Sequence, residues 1–421
     1  MIIKHITCID RKRNPFLPLT QAHHLLDQYT AADNVVILLD HLWEDQLVPA
    51  SIKTFVSVIK EKCPWKILLI ANSWERPNAG FIQETGVDDV LYVDFFLYRV
   101  FKEIVVHKKS AFRQIENSLT FDKQKFLFLT GKAAKVNRIG LLKKFVDAGL
   151  MTHAEWSFYY FESTKKYNRL VKDQLPELTD EEFEKFVKTW LRNPDNIDIA
   201  LTSDGLAFDG LSYGYNGIPY DIGLYMQTDF SVISETSFCQ TDNPWITEKI
   251  WIPILNRHPF IIAGDTNILQ KLEQMGFKTF RNFLKIPNYD QIVDTADRLT
   301  AVVENTQYFL DNIKKNSALI NQDVNCNFSR LATLYFLNNE RILNFMYTHK
   351  LTEFTIDDIV PTVGPINNRN KKEKDRNFVV FYNNVKDSTW PDAKSIDEFY
   401  KLPNHIQHEC INTFGLVLPT K

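Results

Sequence analysis

Four apolar runs within the first hundred residues limit the fold of this chain more than any other feature of its sequence. They are rich in Val, Ile and Leu and nearly continuous, which is typical of strands buried on both faces of a parallel sheet. The segment between the second and third runs has apolar residues at helical spacing. Because strands and helix alternate, the pattern predicts a Rossmann-like domain. The runs are residues 2–10, 34–42, 65–74 and 89–97, and the helical positions are Ile52, Phe55, Val56 and Ile59.

A second series of strands and helices begins near residue 125. The segment 125–150 contains an apolar run, a polar loop with a glycine, and an amphipathic helix. The side of this helix that we expect to be buried carries Leu141, Leu142, Phe145 and Val146. The alternation then resumes, with strands predicted over 229–237 and 258–265, helices from about 245 and over 267–276, and a further short run at 277–280.

The two series predict an α/β fold with two Rossmann-like domains in tandem. We place the N-terminal domain at residues 1–115 and the C-terminal domain at 120–350, with a charged helical insertion at about 160–200. A polar, charged linker begins at residue 364 and leads into a small C-terminal extension over 364–421.

Composition argues against several classes of protein. The chain has 421 residues and a net charge of -3, so it lacks the basic footprint of a protein that binds nucleic acid over a wide surface. Its five cysteines are scattered without zinc-like spacing, which is typical of free thiols in a reducing compartment. The sequence has neither the apolar core of a signal peptide nor an apolar run long enough for a membrane span. We therefore expect a cytoplasmic protein.

The motifs of other nucleotide-dependent enzymes are missing. The sequence has no P-loop, no Gly-x-Gly-x-x-Gly after its first strand and no Gly-x-Ser-x-Gly, which removes the best support for kinase, dehydrogenase and hydrolase functions. It also lacks an Asp-x-Asp in the setting that metal-dependent glycosyltransferases use. We expect no required cofactor, and a divalent metal is not indicated.

The segment 234–256 passes from polar residues directly into an apolar helix. Asp242 or Asn243 can cap that helix, and Pro244 suits a first helical position, so we expect the helix to begin at Pro244 or Trp245. Pro253 should kink or end it, because proline has no N–H to donate to the carbonyl four residues back.

Thr247, Glu248 and Lys249 fall in the first turn of this helix. Free N–H groups at a helix N-terminus together with a lysine suit a phosphate group. A carboxylate in the same turn would repel phosphate, so Glu248 would accept from the hydroxyls of a ribose instead. The alternative is that Glu248 is merely favourable beside the helix dipole and Lys249 is solvated. The residues by themselves leave both interpretations open.

The stretch FSVISETSFCQTDNPWITEKIWIPIL (230–255) resembles the donor-binding signature of the α1,3/α1,4-fucosyltransferase family. That signature is a strand ending in Phe-Glu-Asn, a polar loop, a Tyr-(Ile/Val)-Thr-Glu-Lys helix, and a strand with Pro-Val before a glycine. Here Thr236 replaces the Asn, Trp245 the Tyr and Phe260 the Val. The resemblance implies a GT-B fold, in which two Rossmann-like domains face each other across a cleft.

The resemblance also implies roles for single residues. Lys249 and Arg138, which leads into a helix after KAAKVN, would bind the two phosphates. Glu248 would bind the ribose, and Glu235 would face the cleft near the donor sugar, with Thr247 also at the donor site. In NSWERPN, Glu75 would be the general base. The rivals to Glu75, at predicted strand ends, are Asp10, Asp40 and His41.

These features predict an inverting glycosyltransferase that moves a sugar from a nucleotide-sugar donor, with a GDP-fucose-like donor as one option. The acceptor would be a hydroxyl on a glycan, a protein or a modified nucleic-acid base. The alternative is a non-catalytic nucleotide-binding or scaffold protein that retains the fold.

Overall fold

The structure is a computed structural model, and it describes residues 2–7, 17–41, 49–73, 79–102, 120–132, 135–159, 169, 172–173, 175–191, 222–351 and 354–360. The chain divides into two compact units. Residues up to Arg99 and from Leu334 onward, as far as they are described, belong to the first unit, and Val100–Thr333 belongs to the second. Both units are α/β with parallel strands. The bounds 1–115 and 120–350 stay a prediction, as does the GT-B arrangement.

The first unit is built on a four-stranded parallel sheet whose strand order follows the chain. Each strand pairs with the next one along the sequence, beginning with Ile2 against Val35 and ending with Asn72 against Val93. The strands predicted at the first three apolar runs are confirmed within the described residues. The strands are β1 (Ile2–Thr7), β2 (Val35–His41), β3 (Lys66–Asn72) and β4 (Asp89–Val93).

Helices cover this sheet. The predicted helix 49–63 is confirmed as Pro49–Lys62, and the four apolar residues at helical spacing are buried in the core with the strands. Burial of such side chains contributes about 1.5–3 kcal/mol each, which is why this periodicity predicts the helix well. The helices of this part of the chain are α1 (Leu17–Gln28), α2 (Pro49–Lys62), α3 (Ala79–Thr85) and α4 (Phe95–Phe101).

The prediction that residues 89–97 form one strand is wrong in its second half. The strand ends at Val93, and α4 begins at Phe95. The cause is Asp94, whose Oδ1 accepts the backbone N–H of Leu97 at 2.9 Å, the bond of a helix N-cap. An apolar run that contains a capping residue can therefore divide between a strand and a helix.

Residues near the end of the long helix described below also pack into the first unit. The rings of Tyr335 and Tyr98 stack with centroids 5.4 Å apart, and the guanidinium of Arg341 lies 4.4 Å from the ring centre of Tyr92. Nε2 of His349 lies 2.9 Å from an oxygen of Asp89. These contacts join the segment from Leu334 onward to the sheet of the first unit.

The second unit contains another four-stranded parallel sheet, in the order β6, β5, β7, β8. These strands are β5 (Phe126–Lys132), β6 (Ala154–Tyr159), β7 (Phe230–Ser234) and β8 (Phe260–Ala263). Three of them lie within predicted runs. The exception is β6, which among the described strands pairs with β5 and ends the strand order on that side.

Helices of the second unit are α5 (Val136–Asp147), α6 (Asp180–Phe186), α7 (Ile222–Met226), α8 (Glu248–Leu255), α9 (Ile268–Gln274) and α10 (Thr295–Asn312). The long helix α11 (Ser317–Thr348) begins in the second unit and continues into the first at Leu334, and α12 (Ile356–Ile359) belongs to the first unit. Helix α5 has the expected apolar side, with Leu141, Leu142 and Phe145 fully buried and Val146 half-buried. The run 277–280 is not a strand, because Phe280 has a φ of 60°, in the left-handed region, and a 3-10 turn follows.

A buried histidine lies at the amino end of β8. Nε2 of His258 donates to the carbonyl of Thr228 at 3.0 Å, and Nδ1 accepts from the hydroxyl of Ser231 at 2.8 Å. Burial lowers the pKa of His258 to about 4. The ring is therefore neutral and joins the edges of two strands.

Candidate functional site

The strand order of the second sheet indicates where a ligand would bind. The chain passes from β5 outward to β6 and then returns to the opposite side of β5 to form β7 and β8. Open α/β sheets bind ligands in the crevice outside the carboxyl ends of two such neighbouring strands, where the strand order reverses. Within the described strands of the first sheet the order does not reverse. The carboxyl ends of β5 and β7, followed by residues 135–138 and 235–249, therefore form the candidate site.

Helix α8 begins at Glu248, so the predicted start at Pro244 or Trp245 is wrong. Thr247 is the N-cap residue, with an extended backbone at φ -121° and ψ -177°. The residues before it do not enter the helix because carboxylates hold their N–H groups. Trp245 N donates to Asp265 at 3.0 Å, and Thr247 N donates to Glu235 at 3.0 Å. Neither Asp242 nor Asn243 caps this helix.

Pro253 lies inside α8, which ends two residues later at Leu255. That early end agrees with the prediction that the proline limits the helix. The apolar side is buried, including Ile250, Trp251 and Leu255, all at 0 % exposure. The packing of this side fixes the position of the first turn, where Glu248 and Lys249 lie.

Glu235 is buried, contrary to the expectation that it faces a cleft. Its side chain is 0 % exposed. One carboxylate oxygen accepts from Thr236 N at 2.8 Å and from the Thr247 hydroxyl at 2.7 Å, and the other accepts from Thr247 N. The residue therefore ties the end of β7 to the start of α8 and does not present its carboxylate to a ligand.

Burial raises the pKa of Glu235, while the nearby Lys249 ammonium and the hydrogen bonds from Thr247 act in the opposite direction. The pKa of the Glu235 carboxyl group therefore depends on two opposing effects, the desolvation of its charge and the stabilisation of that charge by its neighbours. Any change that removes Lys249 also changes the balance at Glu235.

Glu248 and Lys249 are partly exposed and form an ion pair. The distance from Lys249 Nζ to Glu248 Oε1 is 2.6 Å, with side chains 24 % and 30 % exposed for the lysine and glutamate. The same ammonium donates to the hydroxyls of Thr236 and Thr247, each at 3.2 Å. All three N–H groups of Lys249 therefore have protein acceptors, and a phosphate could bind to it only by replacing one of them.

Arg138 lies in the first turn of α5, at the same edge of the sheet, but only 4 % of the residue is exposed. Its expected role as a phosphate ligand requires an accessible guanidinium, and its burial does not provide one. Arg138 therefore lies near the predicted donor residues without the exposure that the resemblance implies.

Two neighbours of Arg138 that the sequence analysis did not select contact the end of β7. The ammonium of Lys135, the N-cap residue of α5, donates to the carbonyl of Thr236. The amide of Asn137 donates to the hydroxyl of Ser234 at 3.1 Å and to the carbonyl of Glu235 at 2.8 Å. The sequence could have indicated both residues, because they follow an apolar strand and polar residues in that position lie at the carboxyl edge of a parallel sheet.

The loop between β7 and α8 is held at a second place by residues that follow β8. Asp265 accepts the N–H of Cys239 at 2.7 Å in addition to that of Trp245. Arg298, from α10 and only 2 % exposed, lies 4.1 Å from the ring centre of Phe238. The loop is therefore fixed by buried carboxylates at both ends and by a buried guanidinium between them.

The predicted acceptor-side residues are not placed. Glu75 and Asp10 lie outside the described residues, while Asp40 and His41 end β2 with side chains outside the description. Their assignment as general base or rivals stays a prediction.

No group of three or more His, Cys, Asp or Glu side chains that could hold a metal ion occurs in the described part of the chain. None of the helices in the described ranges combines the length and hydropathy of a membrane-spanning segment.

Comparison with known proteins gives no relative. No protein-family model matches the chain, and neither a curated protein nor a solved structure matches it.

Proposed function

We propose that this chain is an inverting glycosyltransferase that uses a nucleotide-sugar donor, with the donor bound at the carboxyl edge of the second sheet. The observation that carries the proposal is the position of Glu248 and Lys249. They lie side by side in the first turn of an eight-residue helix, next to the point where the strand order reverses. A fixed carboxylate and a fixed ammonium at such a point suit a ribose and a phosphate.

The proposed reaction breaks the bond between the anomeric carbon of the sugar and the donor diphosphate. The electron pair leaves with the diphosphate, and Lys249 together with the N–H groups at the start of α8 stabilises that charge. The acceptor oxygen forms the new bond, and its proton passes to a general base, for which Glu75 remains our candidate. The GT-B arrangement, a fucose-like donor, the hydroxyl acceptor and a cytoplasmic location complete the proposal and rest on the sequence.

Donor binding in this proposal requires an exchange of partners at Lys249. Its ammonium already has three protein acceptors, of which Glu248 is the charged one. When Glu248 turns to the ribose hydroxyls, Lys249 can donate to a phosphate oxygen in its place. The two residues thus neutralise each other before the donor arrives and separate to bind its two parts.

Glu235 and Thr247 have supporting roles in this proposal. Because the Glu235 carboxylate holds the N–H and the hydroxyl of Thr247, it fixes the residue that caps α8. Their contribution is to keep the first turn in place, and contact with the donor is left to Glu248 and Lys249.

The first experiment is a thermal-shift panel of nucleoside diphosphates. A ligand that binds only the folded protein stabilises it by about 2.7 kcal/mol at a hundred times its Kd. We expect one base to raise the midpoint and the Lys249→Met variant to lose that rise. Lys285→Met, whose ammonium is exposed and pairs with Glu304, serves as the control with equal loss of charge.

The panel also separates the alternatives. A preference for GDP supports a fucose-like donor, and a flat panel contradicts the proposed function. Nucleotide binding without hydrolysis or transfer from the matching nucleotide sugar supports the non-catalytic alternative. If Lys249→Met and wild type bind nucleotide equally, the donor site has been placed wrongly.

A further inference from the structure

Two lysines from different helices converge on one residue of the candidate site. Lys135 caps α5 and donates its ammonium N–H to the backbone carbonyl of Thr236. Lys249 lies in the first turn of α8 and donates to the side-chain hydroxyl of the same Thr236 at 3.2 Å. Since both ammonium groups are hydrogen-bonded to one residue, they lie close enough together to contact a single small ligand.

The positions of both lysines are fixed by the fold. Asn137, two residues after Lys135, hydrogen-bonds to Ser234 and to the carbonyl of Glu235, which joins the start of α5 to the end of β7. The carboxylate of Glu235 joins that same strand end to the residue that caps α8. The two helix starts are therefore connected through three consecutive residues, Ser234 to Thr236, and cannot separate without breaking buried hydrogen bonds.

Two positive charges at one place repel each other, and an anion between them removes that repulsion. Glu248 neutralises Lys249 in the structure, and it is the group that donor binding would draw away. A ligand with two linked negative groups fits a pair of separate cations better than a single phosphate, because each ammonium then acts on its own phosphoryl group.

We propose that Lys135 binds the second phosphoryl group of a diphosphate whose first phosphoryl group is bound by Lys249. This inference rests on the proposed function, and it moves the role of second cation from Arg138 to Lys135. Arg138 is 4 % exposed, whereas Lys135 is only half-buried and caps α5 at the carboxyl edge of the sheet. Arg138 then belongs to the framework of the first turn of α5.

The test is calorimetric titration of the full chain with inorganic pyrophosphate and with the nucleoside diphosphate that the thermal-shift panel selects. Pyrophosphate is included because it carries the diphosphate chemistry without a base or a ribose. The variants are Lys135→Met, Lys135→Arg, Lys249→Met and Lys143→Met. Lys143 is the matched control, because it is on the same helix, pairs with Asp147, and lies about 12 Å farther along the axis at 1.5 Å per residue.

Loss of a hydrogen bond to a charged group should raise the Kd of Lys135→Met for both ligands about ten- to a hundredfold. Lys135→Arg, which keeps the charge, should stay closer to wild type, and Lys143→Met should equal wild type. The affinity for the nucleoside without phosphates should not change in Lys135→Met. If that variant has no cooperative unfolding transition, Lys135→Gln replaces it in the same titrations.

Each outcome decides between the two proposals. If Lys249→Met loses diphosphate affinity while Lys135→Met does not, the inference is overturned and the proposed function stands. If pyrophosphate binds through Lys135 but no nucleoside diphosphate binds, the inference stands and the proposed function fails. Wild-type protein that binds neither ligand overturns both.

Discussion

Replacement of Glu235 by glutamine tests the hydrogen bonds that hold the entrance of α8. The carboxylate accepts two backbone N–H groups, those of Thr236 and Thr247, and the Thr247 hydroxyl. Glutamine has one carbonyl oxygen, so one of the two backbone N–H groups must face the NH₂ group. The Thr247 hydroxyl shares a carboxylate oxygen with Thr236 N, and it can rotate to accept from the NH₂ group placed there. Thr236 N cannot, so it would lose its acceptor, and Thr236 is the half-buried residue of the two.

One unsatisfied buried N–H costs about 1–3 kcal/mol, and relief of the buried charge offsets part of that cost. We therefore expect Glu235→Gln to destabilise the loop by about 1–2 kcal/mol, which changes its opening equilibrium about five- to thirtyfold. Hydrogen exchange followed by mass spectrometry on peptides that cover 230–250 measures this change locally, without requiring that the two units unfold together.

The matched control is Glu304→Gln, because Glu304 is exposed and forms a surface ion pair with Lys285. An exposed pair contributes about 0.2–1 kcal/mol, and it lies outside the loop, so exchange at 230–250 should not change. Exchange in Glu235→Gln as slow as in wild type would refute the argument, because the carboxylate would then not be the acceptor that holds the loop.

The cost of Glu235→Gln should depend on pH. The pKa of Glu235 in the folded protein is raised above its ordinary value of 4.5, chiefly by burial. The folded state then binds the proton more tightly than the unfolded state, so wild-type stability falls as pH rises above 4.5 and through the folded pKa. The glutamine variant has no titrating group at this position, so its stability should lack this slope. Wild-type stability that rises with pH over that range, relative to the variant, would contradict the assigned direction.

Three further predictions concern other residues. Burial lowers the pKa of His258 from 6.5 to about 4, so its contribution to the free energy of unfolding should be fully present above pH 6.5 and fall by about 3 kcal/mol as pH decreases toward 4. Urea unfolding of His258→Gln should not show this loss, and a variant with the same pH dependence as wild type would contradict the prediction. Glu248→Gln should weaken binding of the nucleoside. It should strengthen binding of pyrophosphate about two- to fivefold, because Lys249 loses its charged partner. A weaker affinity for pyrophosphate in calorimetry would contradict the role of Glu248 as the counterion of Lys249. Arg298→Met removes a buried cation that lies beside Phe238 and donates to its carbonyl, so it should destabilise the second unit by about 1–3 kcal/mol. An unchanged denaturation midpoint would show that the guanidinium does not hold the loop.

The sequence predicted those elements whose identity depends on local periodicity. Buried parallel strands such as β2 and β3 consist of nearly continuous apolar residues, and α2 has its apolar residues at helical spacing. The strand β6 was missed because its sequence, AEWSFY, mixes polar with apolar residues and so lacks the continuous apolar run of the buried strands. Helix α10 was also missed, although Leu299, Val302 and Phe309 recur on its buried side and would have indicated it.

The start of α8 could not be predicted from its own residues. Asp242, Asn243 and Pro244 satisfy the local rules for a helix start, but Asp265 and Glu235 hold the following N–H groups. These acceptors are 20 and 12 residues away in sequence, so the contact depends on the sheet that brings strand ends together. The same dependence explains why the sequence did not predict that Glu235 is buried.

The ion pair between Glu248 and Lys249 has a consequence for the response to salt. A lysine that faces solvent without a partner gathers mobile anions, and a ligand that displaces them binds less tightly as ionic strength rises. Here the counterion of the free site is part of the chain, with a carboxylate oxygen 2.6 Å from the ammonium, so few mobile anions need to be displaced from Lys249. Diphosphate affinity should therefore decline only weakly between low and physiological ionic strength, and chloride should compete poorly for the site.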